Sequence, residues 1–285
     1  MKKKLSTLLL FLIFLIGLSL LLYPTISDYW NSFHQSKAIA SYVEEVEQLD
    51  EDRYEEMWKE AQNYNQELFQ DPSPYDITEE ENLKYQGLLN VSGNGIMGYI
   101  EIPSIDCHLP IYHGVNESVL QIAVGHIEGT SLPVGGASTH CVLSGHRGLP
   151  SAKLFTDLDK LVVGDLFIIR ILNETLTYEV DQILIVLPDE VESVAIEEGK
   201  DYCTLVTCTP YGVNSHRLLV RGHRVENTEE AKTVRVTADA VQIEPLIVAP
   251  IVAIPLLLLL LVYILVKDGK RAKNKPKNIH SDGGN

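Results

Sequence analysis

One stretch of the sequence reads Thr204-Leu205-Val206-Thr207-Cys208-Thr209-Pro210-Tyr211-Gly212. Its apolar and β-branched residues predict a strand that ends at Cys208, where a turn with proline and glycine begins. Arg217 follows nine residues later, at the start of another apolar run. If residues 211–215 form a hairpin loop, Cys208 and Arg217 lie on adjacent antiparallel strands and can face one site. The stretch therefore predicts a β-fold with a cysteine at the end of a strand.

Strand-forming residues recur along the middle of the chain. Predicted strands cover residues 96–102, 141–143, 165–172, 176–187, 202–207 and 218–225, with turns that contain glycine or proline between them. Short strands at this spacing favour a closed or nearly closed β-barrel over βαβ units. The predicted fold class is all-β, with the barrel within residues 96–226 and a linker over residues 227–244.

Residues 36–95 differ from the barrel, because they are acidic and their first half has helical periodicity. Apolar residues recur three or four positions apart, or at sums of these spacings, at Ile39, Tyr42, Val43, Val46, Leu49, Met57, Ala61, Tyr64 and Leu68. This spacing predicts a solvated amphipathic helix or helix pair. Pro72 and Pro74 end the pattern and predict a loop over residues 70–76.

Two apolar segments at the ends of the chain are long enough to cross a bilayer. Residues 5–22 follow three lysines, and residues 246–266 precede a tail with six basic residues. A cleaved signal peptide is the alternative for the first segment, but no small-residue cleavage motif follows it. Because basic flanks stay in the cytoplasm, we expect a cell-membrane protein with both termini inside and the middle outside. The predicted anchors cover residues 1–35 and 245–285.

The positive charge of the chain is concentrated at its two ends. The formal net charge is −16, and the middle carries −23 once the three N-terminal lysines and the tail, with six basic and two acidic residues, are set aside. Nucleic-acid binding needs a basic surface, so the sequence argues against a nucleic-acid partner. The four cysteines are sparsely spaced without a CxxC pair. We expect Cys107, Cys141 and Cys203 to be small buried residues and Cys208 to be reactive.

A cysteine nucleophile needs a basic or cationic partner, most often a histidine. Most of the nine histidines lie in predicted strands, turns or membrane-proximal segments, where a structural hydrogen bond is the simpler interpretation. His146 differs, because Ser144-Gly145-His146-Arg147-Gly148 follows directly on a predicted strand. Glycines allow close backbone approach, and a loop at a strand end suits a general acid or base. The residues alone make His146 one candidate among several.

Two of these segments resemble known motifs. Residues 204–208 resemble the TLxTC signature of sortases, and residues 144–147 resemble the histidine loop of that family. The longer segments 125–136, 145–157 and 208–222 resemble the pilus-building class C branch. The resemblance implies an eight-stranded sortase β-barrel with His146, Cys208 and Arg217 as catalytic residues.

The resemblance also implies a reaction and its partners. Cys208 would cleave an LPxTG-like sorting signal between Thr and Gly, and the acyl group would pass through a thioester to a lysine amine of another pilin subunit. His146 would move the protons, and Arg217 would hold the substrate or the developing oxyanion. The implied partners are pilin subunits and the membrane bilayer. No metal or organic cofactor is implied, and no aspartate stands out as the third member of a triad.

Class C sortases carry a lid with the sequence Asp-Pro-aromatic, from which this chain departs. Asp71-Pro72 is followed by Ser73, and Tyr75 stands two positions later. We expect Asp71 to pair with Arg217, and either Tyr75 or Ser73 to occupy the position of the ring that covers Cys208.

Other functions remain open on the sequence. A surface protein that is itself sorted would need LPxTG before the C-terminal apolar segment, and the sequence has none there. A transpeptidase that transfers its acyl group to cell-wall peptide is another enzyme, and a non-enzymatic membrane scaffold or sensor belongs to another class. The acidic helical region, the lid and the second anchor favour the pilus-building enzyme.

Overall fold

The structure is a computed structural model that describes residues 2–71, 73–227 and 258. Apart from residue 258, the predicted C-terminal transmembrane segment lies outside the described residues, as do almost all of the predicted linker and Pro72 of the predicted lid.

Over residues 2–227, four α-helices accompany the barrel. They are α1 (Lys2–Glu47), α2 (Glu51–Gln70), α3 (Glu79–Gly87) and the short α4 (Glu117–Leu120). The N-terminal part of α1 is long and apolar enough to cross a membrane, the one such helix among the described residues. The predicted helix pair is confirmed as the second half of α1 and α2, whereas α3 was not predicted.

The helix pair is more buried than predicted. Side chains on one face of each helix are buried, namely Ile39, Tyr42 and Val46 of α1 and Met57, Ala61 and Leu68 of α2. Most of them join the same apolar cluster as the barrel interior. The apolar stripe therefore packs against the barrel, and only the acidic face is solvated.

Eight strands form a closed barrel, which confirms the predicted β-barrel. The strands are β1 (Ile96–Ile102), β2 (Cys107–His113), β3 (Val124–His126), β4 (Thr139–Ser144), β5 (Leu166–Ile171), β6 (Glu174–Val186), β7 (Asp201–Thr209) and β8 (His216–Val225). Their order around the barrel is β1-β2-β3-β4-β7-β8-β6-β5. The pairs β2–β3 and β4–β7 are parallel, and the others are antiparallel.

The wall formed by β4, β7 and β8 has two different faces. Side chains alternate between the faces of a strand. On β7, Cys203 and Leu205 belong to the main core, whereas Val206 belongs to a separate small cluster with Val142 of β4 and Leu219 of β8. This small cluster lies on the outer face of the barrel, and we call it the outer strip.

Candidate active site

Cys208 lies on the outer face of β7, near its end. It is two residues beyond Val206 and therefore points to the same side of the wall. Its thiol is free and half-buried, whereas Cys107, Cys141 and Cys203 are buried in the core, as predicted. Burial raises the pKa of Cys107 to about 12 and also raises the pKa of Cys203. Cys208 is thus the accessible thiol.

Arg217 is brought next to Cys208 by the predicted hairpin. The two residues are directly opposite each other in the antiparallel register of β7 and β8. Opposite residues of an antiparallel pair point to the same face of the sheet. The guanidinium donates to the carbonyl oxygens of Asn214 at 3.2 Å and His216 at 3.1 Å, so that the intervening loop holds it.

His146 reaches the same place from the parallel partner strand. Ser144 of β4 is in register with Val206. The ladder continues past the strand, because Gly145 N–H donates to Val206 O at 3.0 Å and Thr207 Oγ1 donates to Gly145 O at 2.8 Å. The backbone of His146 therefore follows on beside Cys208. The structure thus brings the three predicted residues to one end of the barrel, which we call the Cys208 end.

Two glycines explain the local conformation of the histidine loop. A Cβ on Gly145 would lie 2.7 Å from Cδ2 of Phe155, whose ring packs on the glycine. A Cβ on Gly148 would lie 2.6 Å from Cε2 of Tyr211, and Gly148 has a φ of +75°. Because Tyr211 belongs to the loop after Cys208, the loops that carry the histidine and the cysteine pack directly on each other.

Glu117 is a neighbour of His146 that the sequence did not reveal. Its Oε2 lies 3.6 Å from Nε2 of His146. The carboxylate is largely exposed, and Gln121 Nε2 donates a hydrogen bond to Oε1. That hydrogen bond, followed by the nearby imidazole, lowers the pKa of Glu117. Glu117 therefore presents a negative charge to the histidine at neutral pH.

The outer strip leads towards Cys208 and is bordered by two loops. Its central residues are extended by partly buried apolar side chains, namely Ile127, Leu184, Val186 and Val194. The loop between β6 and β7 is fastened beside the strip by His140, whose Nδ1 lies 2.9 Å from Ala195 O, and by Arg221, which pairs with Glu197 at 3.4 Å. On the other side is the turn between β3 and β4, which begins at Ile127.

Pro74 and Tyr75 of the predicted lid loop lie on this turn. A Cβ on Gly129 would lie 2.4 Å from Pro74 O and 3.0 Å from Cδ1 of Tyr75, so the lid loop rests on this glycine. Asp71 Oδ1 accepts a hydrogen bond from Ser73 N–H at 2.8 Å. Among the described residues, Asp71 makes no ion pair with Arg217. The expected pairing is therefore absent, and Tyr75 borders the outer strip.

Comparisons with known proteins show that the chain is similar to sortases. The sortase domain matches residues 100–225, which span the barrel from β1 to β8. Sortase C1 from Streptococcus agalactiae is 54% identical, with a TM-score of 0.66 over 67% of this chain and 100% of that chain. Sortase C from Clostridium perfringens, solved with the C-terminal cell wall sorting motif, is 43% identical, with a TM-score of 0.60 over 67% of this chain and 99% of that one.

A more distant curated relative is sortase D of Bacillus subtilis strain 168. It is 30% identical over 131 residues, which make up 45% of this chain. The match spans 63% of the length of that relative, less than two thirds. The likeness is therefore stronger to the class C structures than to this relative.

Proposed function

This chain belongs to the sortase family of cysteine transpeptidases, and on that premise we propose that it polymerises pilins. In this proposal it cleaves an LPxTG-like sorting signal between Thr and Gly and transfers the acyl fragment to a lysine amine of another pilin. The observation that carries the proposal is the register of Cys208 and Arg217, which sets a half-buried thiol beside a fixed cation at the end of an apolar strip.

The first half of the reaction forms a thioester on Cys208. The thiolate attacks the threonine carbonyl carbon, and negative charge develops on the carbonyl oxygen. Arg217 stabilises this oxyanion or holds the substrate beside it, as a preorganised cation can. His146 donates a proton to the departing glycine amine as the carbon–nitrogen bond breaks. The products of this half are the thioacyl enzyme and the released C-terminal fragment.

The second half transfers the acyl group to the acceptor. A lysine amine attacks the thioester carbon, His146 accepts the proton of the amine, and the sulfur of Cys208 leaves as the thiolate. An isopeptide bond joins the two pilins, and the enzyme returns to its starting state. Glu117 lies beside His146 in both halves, with its carboxylate Oε2 3.6 Å from Nε2 of the ring.

The outer strip is proposed to bind the apolar residues that precede the scissile bond. An extended peptide that reaches Cys208 along β7 would place these residues over Val142, Val206 and Leu219. The lid loop borders this path and would limit access to it. We further propose that α1 and the C-terminal apolar segment anchor the chain, with the barrel outside the cell.

The test uses the full-length protein, an LPxTG-type peptide and two acceptors. We expect a thioacyl adduct on Cys208 in the intact mass spectrum, and transfer to a pilin-derived lysine peptide. Absence of the adduct would contradict the enzyme proposal. Transfer to a cell-wall peptide amine in preference to the pilin lysine would instead favour the anchoring transpeptidase.

A further inference from the structure

Helix α1 continues from its apolar part directly onto the barrel, where polar side chains hold loops at the Cys208 end. Asp28 Oδ1 accepts from Lys153 N–H at 2.6 Å, and Asn31 Nδ2 donates to Ser151 O at 2.7 Å. Lys153 and Ser151 both belong to the loop that follows His146. This loop is closed by a hydrogen bond from Phe155 N–H to His146 O at 3.1 Å. Asp28 and Asn31 of α1 therefore both contact the histidine loop.

One turn further along α1, a third contact holds the segment that follows α4. Gln35 Nε2 donates to Ile122 O at 2.7 Å, immediately beyond the helix that carries Glu117. Gln35 is itself buried. The two loops nearest the candidate catalytic histidine are thus both tied to the same helix.

The next polar contact of α1 lies at the opposite end of the barrel. Tyr42 Oη donates to Met97 O at 2.9 Å and accepts from Leu172 N–H at 2.8 Å. Tyr42 follows Asp28 by fourteen residues, or about 21 Å along a helix. Helix α1 therefore runs along the barrel from the Cys208 end to the far end.

The strand registers show at which end of the barrel each strand begins and ends. Gly125 of β3 is opposite Ser144 at the Cys208 end, and β2 runs parallel to β3. The start of β2 is therefore at the Cys208 end, together with the end of β1, because Ile102 is opposite Cys107. Leu172 follows the end of β5, which is antiparallel to β1, and so lies at the far end.

The apolar part of α1 ends close to these contacts. The apolar run finishes at Leu22, and Asp28 follows six residues later, which is about 9 Å along the helix. Large exposed aromatic side chains, Tyr23, Tyr29, Trp30 and Phe33, occupy this part of the helix. Tyrosine and tryptophan are enriched at the interface between membrane and water. This position of α1 is therefore typical of the headgroup level.

From these observations we infer that the Cys208 end of the barrel faces the bilayer that holds α1, with the histidine loop beside the lipid headgroups. The inference rests on the proposed membrane anchoring by α1 and deepens the proposed function. A sorting signal would then be received at the membrane surface, while the apolar segment behind its scissile bond is still in the bilayer.

The test compares two label positions at opposite ends of the barrel. Ser104 lies in the exposed turn between β1 and β2 at the Cys208 end, and Asn173 lies in the exposed turn between β5 and β6. Strand β1, which separates these ends, has seven residues and spans roughly 20 Å. Ser104→Cys and Asn173→Cys are made separately in the full-length Cys208→Ala protein. Each is labelled with a fluorescent donor in nanodiscs that contain a headgroup-labelled acceptor lipid.

We expect energy transfer from Ser104→Cys to be at least twice that from Asn173→Cys. Equal transfer, or more from Asn173→Cys, would overturn the inference. The Cys208→Ala parent must stay unlabelled, because its other three cysteines are buried. This measurement needs no peptide substrate, so it decides the orientation even if the proposed transfer reaction fails.

A spacer variant tests the consequence for the substrate. A flexible insert of about ten residues between Pro24 and Thr25 would let the barrel move away from the surface. We expect it to lower the ratio of the two transfer efficiencies and to slow cleavage of a membrane-embedded sorting signal severalfold. Cleavage of a soluble LPxTG-type peptide should stay unchanged. If the insert slowed cleavage of both peptides equally, the orientation of the barrel would not explain the slower cleavage.

Discussion

Cys203 and Cys208 lie five residues apart on one strand, and they face opposite sides of the same barrel wall. Cys203 is fully buried in the core, and burial raises its pKa, so the thiol stays protonated. Cys208 is half-buried on the outer face, opposite Arg217. An odd spacing along a strand thus separates a packing residue from a residue with a cation beside it.

The difference between the two cysteines indicates that the two faces of the wall have different roles. Inward side chains such as Leu205 and Val220 are completely buried and stabilise the barrel. Outward side chains at the Cys208 end lie next to loops and carry the candidate chemistry. A substitution on one face should therefore change stability, whereas a substitution on the other should change activity.

The largest effect is expected at the two cysteines. Cys208→Ala should abolish the thioacyl adduct, because no other described thiol is accessible. Cys203→Ala should keep the adduct but lower the free energy of unfolding by about 1–2 kcal/mol, since it leaves a small cavity. Intact mass spectrometry and denaturant unfolding measure the two quantities. An active Cys208→Ala protein together with an inactive, folded Cys203→Ala protein would reverse the assignment of the nucleophile.

The next effect is expected at Arg217. Arg217→Ala should slow thioacylation by about 10²–10³, the usual cost of losing one group that stabilises an oxyanion. Arg221 is a matched control on the same face of β8, paired with Asp181 at 3.0 Å and placed over the ring of Tyr202. Arg221→Ala should slow the reaction less than about fivefold, because it affects only how the adjoining loop is held. Similar losses in both variants would remove the special role of Arg217.

The sequence predicts the barrel well where strands alternate or are rich in β-branched residues. The predicted β1 matches Ile96–Ile102, and the predicted β5 to β8 differ from the structure only at their ends. Strands β2 and β3 were not predicted. Strand β2 contains Pro110, which cannot donate to the ladder and which weakens the local pattern, and β3 has only three residues.

Helix α3 begins at a capping box that is visible in the sequence. Thr78 and Glu81 form a capping box, with Glu81 N–H donating to Thr78 Oγ1 and Thr78 N–H donating to Glu81 Oε2. This pattern of threonine and glutamate three residues apart typically starts a helix. The apolar stripe of the preceding helices was recognised, but its burial against the barrel depends on the tertiary fold.

The candidate site shows the same limit of sequence reasoning. The resemblance to family motifs indicated Cys208, His146 and Arg217, whereas the residues alone left His146 as one candidate among several. Glu117 is 29 positions from His146, and the two meet only through the fold. Likewise, no spacing in the sequence specifies the contact of Tyr75 with Gly129.

A smaller effect is expected at Glu117. Glu117→Gln keeps the shape of the side chain but removes the charge beside His146, so we expect thioacylation to slow by about two- to fivefold. Added salt should slow the parent enzyme and have less effect on the variant, because salt screens an exposed ion pair. The hydrogen bond from Gln121 lowers the pKa of Glu117, so the difference should persist at mildly acidic pH.

The control for this charge effect is Glu60→Gln. Glu60 is an exposed carboxylate on α2, so the change removes one negative charge from the same acidic surface. It should leave both the rate and its salt dependence unchanged. An identical response in the two variants would mean that Glu117 acts only through the net charge of the protein.

The smallest effect is expected at Tyr75. Its measurement distinguishes a lid over the outer strip from a lid over the Cys208 thiol. Tyr75 packs against Gly129, beside the outer strip, and is 44% exposed. Tyr75→Ala should therefore open the strip and lower KM for the sorting peptide by roughly two- to fivefold, since a larger fraction of molecules can bind. Alkylation of Cys208 by a small reagent should stay the same. Asp71→Ala is the matched control, because Asp71 bonds within the lid and not to Arg217. Faster alkylation in Asp71→Ala would show instead that the lid covers the thiol.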